Sequence, residues 1–139
     1  MTRPLTHVLV INWNGRAHLE DCFASLTACP GGHLRFVLVD NASADGSVGF
    51  VRDRFGADPR VEVLTLDRNL GWGGGNNAGI RRALDAGADY VFLLNNDSRR
   101  RPDVFDRCLD LAESNTNIGV VAPKMVLFDQ PFVLNSAGV

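Results

Sequence analysis

Three short apolar runs end abruptly on amides and carboxylates, and those breaks limit what the chain can become. Val8-Leu9-Val10-Ile11 stops at Asn12-Trp13-Asn14, and Phe36-Val37-Leu38-Val39 stops at Asp40-Asn41. Tyr90-Val91-Phe92-Leu93-Leu94 stops at Asn95-Asn96-Asp97. Unbroken apolar runs of this length predict strands buried on both faces, as in parallel sheets. The stretches between them have helical spacing. Leu19, Cys22, Phe23 and Leu26 fall on one face of a helix over 16–26, and Val48, Val51 and Phe55 on one face of a helix over 47–55. Val61 to Leu66 reads as a further strand, and a glycine-rich stretch leads into a helix ending near Gly87. Pro102 suits the first turn of a last helix carrying Val104, Phe105, Cys108, Leu109 and Ala112 on one face. Gly119 to Ala122 reads as another strand, followed by a sixth apolar run, Met125-Val126-Leu127-Phe128.

Strands alternating with helices predict an α/β fold: a Rossmann-like, mostly parallel sheet with helices on both faces. With the strand order 3-2-1-4, the winding reverses between the first strand and the Tyr90 strand. The three polar breaks then fall on one edge of the sheet, at the carboxyl ends of strands, where such sheets bind ligands. Asp97 has two readings at this point. It caps the next helix or makes a turn before Pro102. Alternatively, it supplies a hard oxygen to Mg²⁺ or Mn²⁺ holding a diphosphate.

Composition removes several classes. The 139 residues suggest one domain, 45% hydrophobic and 22% charged, as in soluble globular proteins. A net charge of -2 gives no support for nucleic-acid binding. No apolar run is long enough to span a bilayer, and Met1-Thr2-Arg3-Pro4 leads straight into a strand, so a cytoplasmic location is expected. Cys22, Cys29 and Cys108 form no CxxC pair, which argues against zinc or a disulfide framework. His7, His18 and His33 show no metal spacing.

The glycine-rich stretch runs Arg68-Asn69-Leu70-Gly71-Trp72-Gly73-Gly74-Gly75-Asn76-Asn77-Ala78-Gly79. It follows the third strand, not the first, so it is no dinucleotide fingerprint, and it lacks the Gly-Lys-Ser/Thr of a phosphate loop. Its glycines suggest close backbone approach to a flat or charged group; a flexible, ligand-free loop is the alternative. Trp72 either stacks on a sugar or base or anchors the loop. Asp45 reads as a turn or cap residue. Arg99-Arg100-Arg101 reads as a solvated loop, and Asp103 suits a helix start.

Four segments together resemble family 2 glycosyltransferases of the GT-A fold, in their N-terminal, nucleotide-binding part. They are Val8-Leu9-Val10-Ile11-Asn12-Trp13-Asn14-Gly15, Val39-Asp40-Asn41-Ala42-Ser43-Ala44-Asp45-Gly46-Ser47, the Asn69/Gly71/Gly75/Asn77/Gly79 pattern, and Leu93-Leu94-Asn95-Asn96-Asp97 followed by Pro102-Asp103. The Asn-Asn-Asp segment is most similar to rhamnosyltransferase-type members, where others carry Asp-x-Asp. The resemblance implies transfer of a sugar from a UDP- or dTDP-linked donor to an acceptor hydroxyl, with inversion and metal assistance. Asn12, Trp13 and Asn14 would border the nucleotide, and Asp40 would accept the N–H of a uracil or thymine imide, with Asn41 beside it. Asn69, Gly75 and Asn77 would line the base and ribose pocket. Asn95 and Asn96 would contact the nucleotide without charge, leaving Asp97 as the one protein carboxylate on Mg²⁺ or Mn²⁺.

The resemblance also implies a general base in a second, acceptor-binding half, and no residue here takes that role; Asp129 lacks the context. Residues 1–139 are therefore expected to be the nucleotide-sugar-binding part of a longer, truncated domain, binding nucleotide but turning over poorly or not at all. Uncovered strand edges would favour a homodimer. The acceptor, whether a sugar, a lipid-linked group or a small molecule, is left open, as is peripheral association with the inner membrane face. The competing reading is a non-catalytic nucleotide-sugar-binding module or inactive fragment. A nucleotidyltransferase fits less well, for lack of a lysine-bearing phosphate loop.

Overall fold

The computed structural model describes residues 3–127 and 129–136. Met1, Thr2, Phe128 at the end of the sixth apolar run, and Ala137-Gly138-Val139 lie outside the described residues. The chain forms two compact units, Met1–Arg100 and Arg101–Val139.

The first unit is a four-stranded parallel sheet with helices on both faces. Its elements in order are β1 (Thr6–Asn12), α1 (Arg16–Thr27), β2 (Leu34–Asp40), α2 (Ser47–Phe55), β3 (Val61–Thr65), α3 (Gly71–Asp85) and β4 (Tyr90–Asn95). The spatial order is β3-β2-β1-β4, the winding expected from the sequence. Burial follows that order. All seven residues of β1 are buried, whereas β3 and β4, at the sheet edges, are only partly covered.

Period-2 alternation sorts the core into two layers. Leu9, Ile11, Val37 and Val39 share one face, with Leu64, Leu66, Ile80 and Val91 packed around them. Helix α3 lies on this face, at very short range. A Cβ on Gly79 would sit 2.9 Å from Leu9 Cδ1 and from Val39 Cγ2, and one on Gly75 would sit 2.3 Å from Ile11 Cδ1. The opposite face carries Val8, Val10, Phe36 and Leu38, fully buried together with Leu19, Phe23 and Leu26 of α1 and Val51 of α2. Phe23 and Phe55 join the two helices, ring centroids 5.7 Å apart. Arg60 lies over the Phe36 ring at 5.1 Å and donates to the carbonyls of Thr27 and Cys29 and to Asp58, pinning the end of α1 to the start of β3.

The second unit holds α4 (Val104–Glu113) and an antiparallel hairpin of β5 (Met125–Leu127) and β6 (Gln130–Ser136). Two expectations need correcting. Gly119 to Ala122 forms no strand: Val120 is 89% exposed, so its apolar character finds no sheet to bury it. The glycine-rich stretch is not a loop, because helix α3 begins at Gly71 and runs through every glycine of it. Packing against the sheet overrides the low helix propensity of glycine there.

Candidate functional site

Strand register makes the three polar breaks level with one another. Asn12 lies opposite Asp40, and Ile11 opposite Asn95. The side chains then join into one network. Asp40, 1% exposed, accepts at Oδ1 from Asn12 Nδ2 (2.9 Å) and the Ser43 hydroxyl (2.7 Å), and at Oδ2 from the Ser43 amide (2.8 Å). Ser43 Oγ also accepts from the Asn14 amide at 2.8 Å, and Asn14 Oδ1 accepts from the Ala44 amide at 2.8 Å. Asn12, equally buried, takes the Asn96 amide at its Oδ1, 2.7 Å away. Asn14 and Ala42 hold positive φ of 50° and 59°. Such backbone costs about 1–2 kcal/mol per non-glycine residue and is held here by the Ser43 and Asp40 bonds.

The start of α3 forms the second wall. Buried Asn41 donates to the Gly71 carbonyl (3.2 Å) and accepts from the Leu70 amide (3.3 Å), tying β2 to the helix start. Gly75 sits over this clamp, and a Cβ there would lie 2.8 Å from Asn41 Nδ2. Asn69 is exposed and accepts from the Gly71 amide at 2.8 Å. Asn76 is buried and turns inward to donate to the Trp72 carbonyl (2.9 Å), while Asn77 is exposed. Trp72 is 60% exposed, and its indole N–H donates to Asn95 Oδ1 at 3.3 Å, bridging α3 and β4. Trp13, 59% exposed, stands at the end of β1.

The edge therefore has two tiers. Asn12, Asp40 and Asn41 are buried and hold the strand ends and the helix start together. Trp13, Asn69, Asn77, Asn95 and Asp97 are exposed above them, with Asn14 also at the surface and Asn96 half-buried. Asp97 makes no hydrogen bond or ion pair with the described residues.

In the loop behind Asp97, Arg99 and Arg101 are exposed, as expected of a solvated run, and Arg100 departs from that reading by being half-buried. Arg99 pairs with Asp21 of α1, and both terminal nitrogens of Arg100 donate to the Ser98 carbonyl at 3.2 Å. Burial lowers the pKa of Arg100, opposed by Cys22 and Cys29 nearby. Burial, aided by the Asp97 charge and opposed by Arg100, pushes the Cys22 thiol up to about 11, as suits a buried small hydrophobe. Asp45 accepts from the Arg16 amide at 2.9 Å and from the Ser47 amide at 3.0 Å, so it serves the starts of both α1 and α2.

Among the described residues, no three His, Cys, Asp or Glu side chains gather to enclose a metal. A lone exposed carboxylate beside amides is instead the donor set of an ion that keeps most of its shell as water and substrate phosphate, the habit of Mg²⁺. Asp97 fits that role. Two open hollows, one lined by Arg16, Phe50, Asp53 and Arg54 and the other by Glu20, Ala24, Arg54 and Asp58, include none of the edge residues.

Ser43 and Gly15 are the members of the site that the sequence left without a role. The signal for Ser43 was present, because an Asp followed three residues later by Ser commonly folds back on itself. Gly15 had no such signal. A Cβ there would lie 2.1 Å from Asn96 Nδ2, a contact made across the fold.

The relatives agree with this architecture. The chain is 33% identical over 111 residues to the succinoglycan biosynthesis protein ExoO of Rhizobium meliloti, covering 80% of this chain and 30% of that protein. It is 31% identical over 124 residues to the N-acetylglucosaminyl-diphospho-decaprenol L-rhamnosyltransferase of Mycobacterium tuberculosis, covering 84% of this chain and 39% of that protein. The chain thus spans less than half the length of these relatives. Among solved structures, the mannosyltransferase PcManGT from Pyrobaculum calidifontis, in complex with GDP-Man and Mn²⁺, superposes with a TM-score of 0.72 at 21% identity, covering 81% of this chain and 33% of that one. S. aureus TarS 1-349 in complex with UDP gives 0.68 at 17% identity, over 94% of this chain and 43% of that one. These likenesses establish the GT-A fold. The family described as Glycosyl transferase family 2 matches residues 7–135, and the chain belongs to it.

Proposed function

We propose that this chain is the donor-binding part of an inverting, metal-assisted glycosyltransferase using a UDP- or dTDP-linked sugar. The observation that carries the reading is the meeting of three strand-end clusters on one sheet edge, topped by a carboxylate with no partner among the described residues. In this reading, Asp97 holds a divalent ion on the donor diphosphate, and that ion neutralises charge developing on the departing nucleoside diphosphate. Trp13, Asn69 and Asn77 border the base and ribose, with Asn14 and Asn95 beside them. A carboxylate oxygen accepts two hydrogen bonds, and Asp40 Oδ2 receives one, from the Ser43 amide. In this reading the base displaces what covers Asp40, which is 1% exposed, and its imide N–H takes that remaining acceptor position, as suits uracil or thymine. The acceptor hydroxyl attacks the sugar directly while a carboxylate takes its proton, a role given to no residue here.

No helix of the described residues is long and apolar enough to cross a membrane. A cytoplasmic location is proposed, with peripheral binding to the inner membrane face if the acceptor is lipid-linked. Pairing of two copies is proposed at the outer edge of β4, which has no strand neighbour among the described residues.

Calorimetry with UDP, dTDP and GDP, with and without Mn²⁺, tests the donor site. Wild type should bind UDP or dTDP more tightly with Mn²⁺, and Asp97→Ala should lose that gain. Binding that ignores both the metal and Asp97 sinks the metal reading, and a preference for GDP sinks the role given to Asp40. Nucleotide binding with no sugar transfer from a full-length protein would leave a nucleotide-sugar-binding module.

A further inference from the structure

Trp72 is exposed, yet it is held at both its backbone and its ring. Asn76, 3% exposed, donates from Nδ2 to the Trp72 carbonyl at 2.9 Å and steadies the first turn of α3. The indole N–H reaches across to β4 and donates to Asn95 Oδ1 at 3.3 Å. Strand register accounts for that meeting. Asn95 lies opposite Ile11, and paired residues of parallel strands point the same way. Asn95 therefore shares the face on which α3 packs, since Ile11 lies under Gly75 of that helix. An indole nitrogen only donates, so the Asn95 atom facing it is the carbonyl oxygen. The two ends of a planar amide diverge, and the amino group is thus turned away from the indole. No described residue accepts from that amino group. Asn95 is exposed at the carboxyl end of its strand, so the amino group is offered to what binds on that edge.

We propose that Trp72 is a positioning residue: its indole holds Asn95 amino-outward, so that Asn95 donates an N–H to an acceptor oxygen of the bound nucleotide. That oxygen belongs to a ribose hydroxyl or to a phosphate, which share this acceptor chemistry. Without the indole bond, an exposed amide is free to present either end. With it, the choice is made before the nucleotide arrives. The bond also gives the site a polarity. A carboxylate at position 95 would accept from the indole equally well, yet it would turn an oxygen outward where the amide turns a donor. The proposal rests on the reading of this edge as the donor site, and it involves no metal ion.

The test titrates UDP and uridine into the isotope-labelled chain in EDTA, with affinities read from nuclear magnetic resonance shifts. Trp72→Phe keeps an aromatic ring and removes the N–H. It should weaken UDP roughly 2- to 10-fold, the range of one hydrogen bond. Asn95→Ala should weaken UDP at least as much, and adding Trp72→Phe to it should change nothing further. Asn95→Asp should bind UDP less tightly than Asn95→Ala, because it keeps the indole's acceptor but turns an oxygen toward the ligand. Equal losses with uridine identify the ribose as the acceptor; losses with UDP and none with uridine identify a phosphate. An Asn95→Asp protein that binds UDP as tightly as Asn95→Ala, or more tightly, overturns the proposal. So do additive losses from Trp72→Phe and Asn95→Ala, which put Trp72 on the ligand directly. If the bond only ties α3 to β4, Trp72→Phe lowers the thermal midpoint and leaves UDP affinity unchanged, which also overturns it. Wild type that binds no UDP in EDTA lacks the preset donor and sinks the proposal; the donor-site reading fails as well only if Mn²⁺ restores no binding.

Discussion

At the scale of single residues, burial separates side chains that look alike in sequence. His7 offers no metal spacing and proves to be a core residue, 3% exposed on β1, with its Nδ1 buried and unbonded. Burial lowers its pKa below 6.5, outweighing the opposing charge of Glu62. The folded state therefore resists a proton that the unfolded chain accepts. Stability from this residue is complete above about pH 7 and falls as pH drops through about 6.5 toward the folded value. Urea midpoints measured from pH 8 to pH 5 should fall more steeply for wild type than for His7→Gln. Equal slopes would place the acid sensitivity elsewhere. The same contrast divides the carboxylates of the ligand edge. Asp40 and Asp97 each end an apolar run, yet one is enclosed by donors and the other meets none among the described residues. Nothing within either run distinguishes them, because the donors to Asp40 come from Asn12 and Ser43.

At the scale of elements, α3 shows what the sequence could and could not convey. The apolar runs of β1 and β2 were legible because burial on both faces leaves a local trace; the Tyr90 run, read as equally buried, is instead a partly covered edge strand with Leu93 40% exposed. The helix start at Gly71 was not legible, since five glycines and three asparagines in 69–79 oppose a helix locally. What they permit is close contact with the sheet, and that requirement comes from residues such as Leu9 and Val39, far away in sequence. The glycines should therefore respond in opposite directions. A Cβ on Gly73 would meet nothing within 4 Å, and this residue lies within the helix. Gly73→Ala should stabilise by about 0.5–1 kcal/mol through helix propensity. Gly79→Ala should destabilise by about 1–3 kcal/mol through overpacking against Leu9 and Val39. Chemical denaturation of both variants checks the pair, and a stabilising Gly79→Ala would mean that α3 does not pack this closely.

At the scale of the whole molecule, the winding and the gathering of the polar breaks on one sheet edge were readable because strand order places those strand ends side by side. The second unit was less so. Val120 has the apolar character of a strand residue without a partner strand, and the β5–β6 hairpin exposes Met125, Val126, Leu127, Phe132, Val133 and Leu134. Exposed apolar patches of this kind are where proteins tend to meet other surfaces. Phe132 is 100% exposed. Phe132→Ser should change stability by less than about 0.5 kcal/mol and, with pairing proposed at the edge of β4, should leave any concentration-dependent association in sedimentation experiments unchanged. Lowered association would place the contact between copies on the hairpin instead of the edge of β4.

The burial of Asp40 also bears on how inherited variants of this chain should be interpreted. Under the proposed function, a growth-based genetic screen would group Asp40 and Asp97 alleles together. Their structural consequences differ. Asp40 alleles should lose the hydrogen-bond knot joining β1 to β2, and stability with it. Asp97, exposed and without a hydrogen bond among the described residues, should be replaceable without loss of the folded protein.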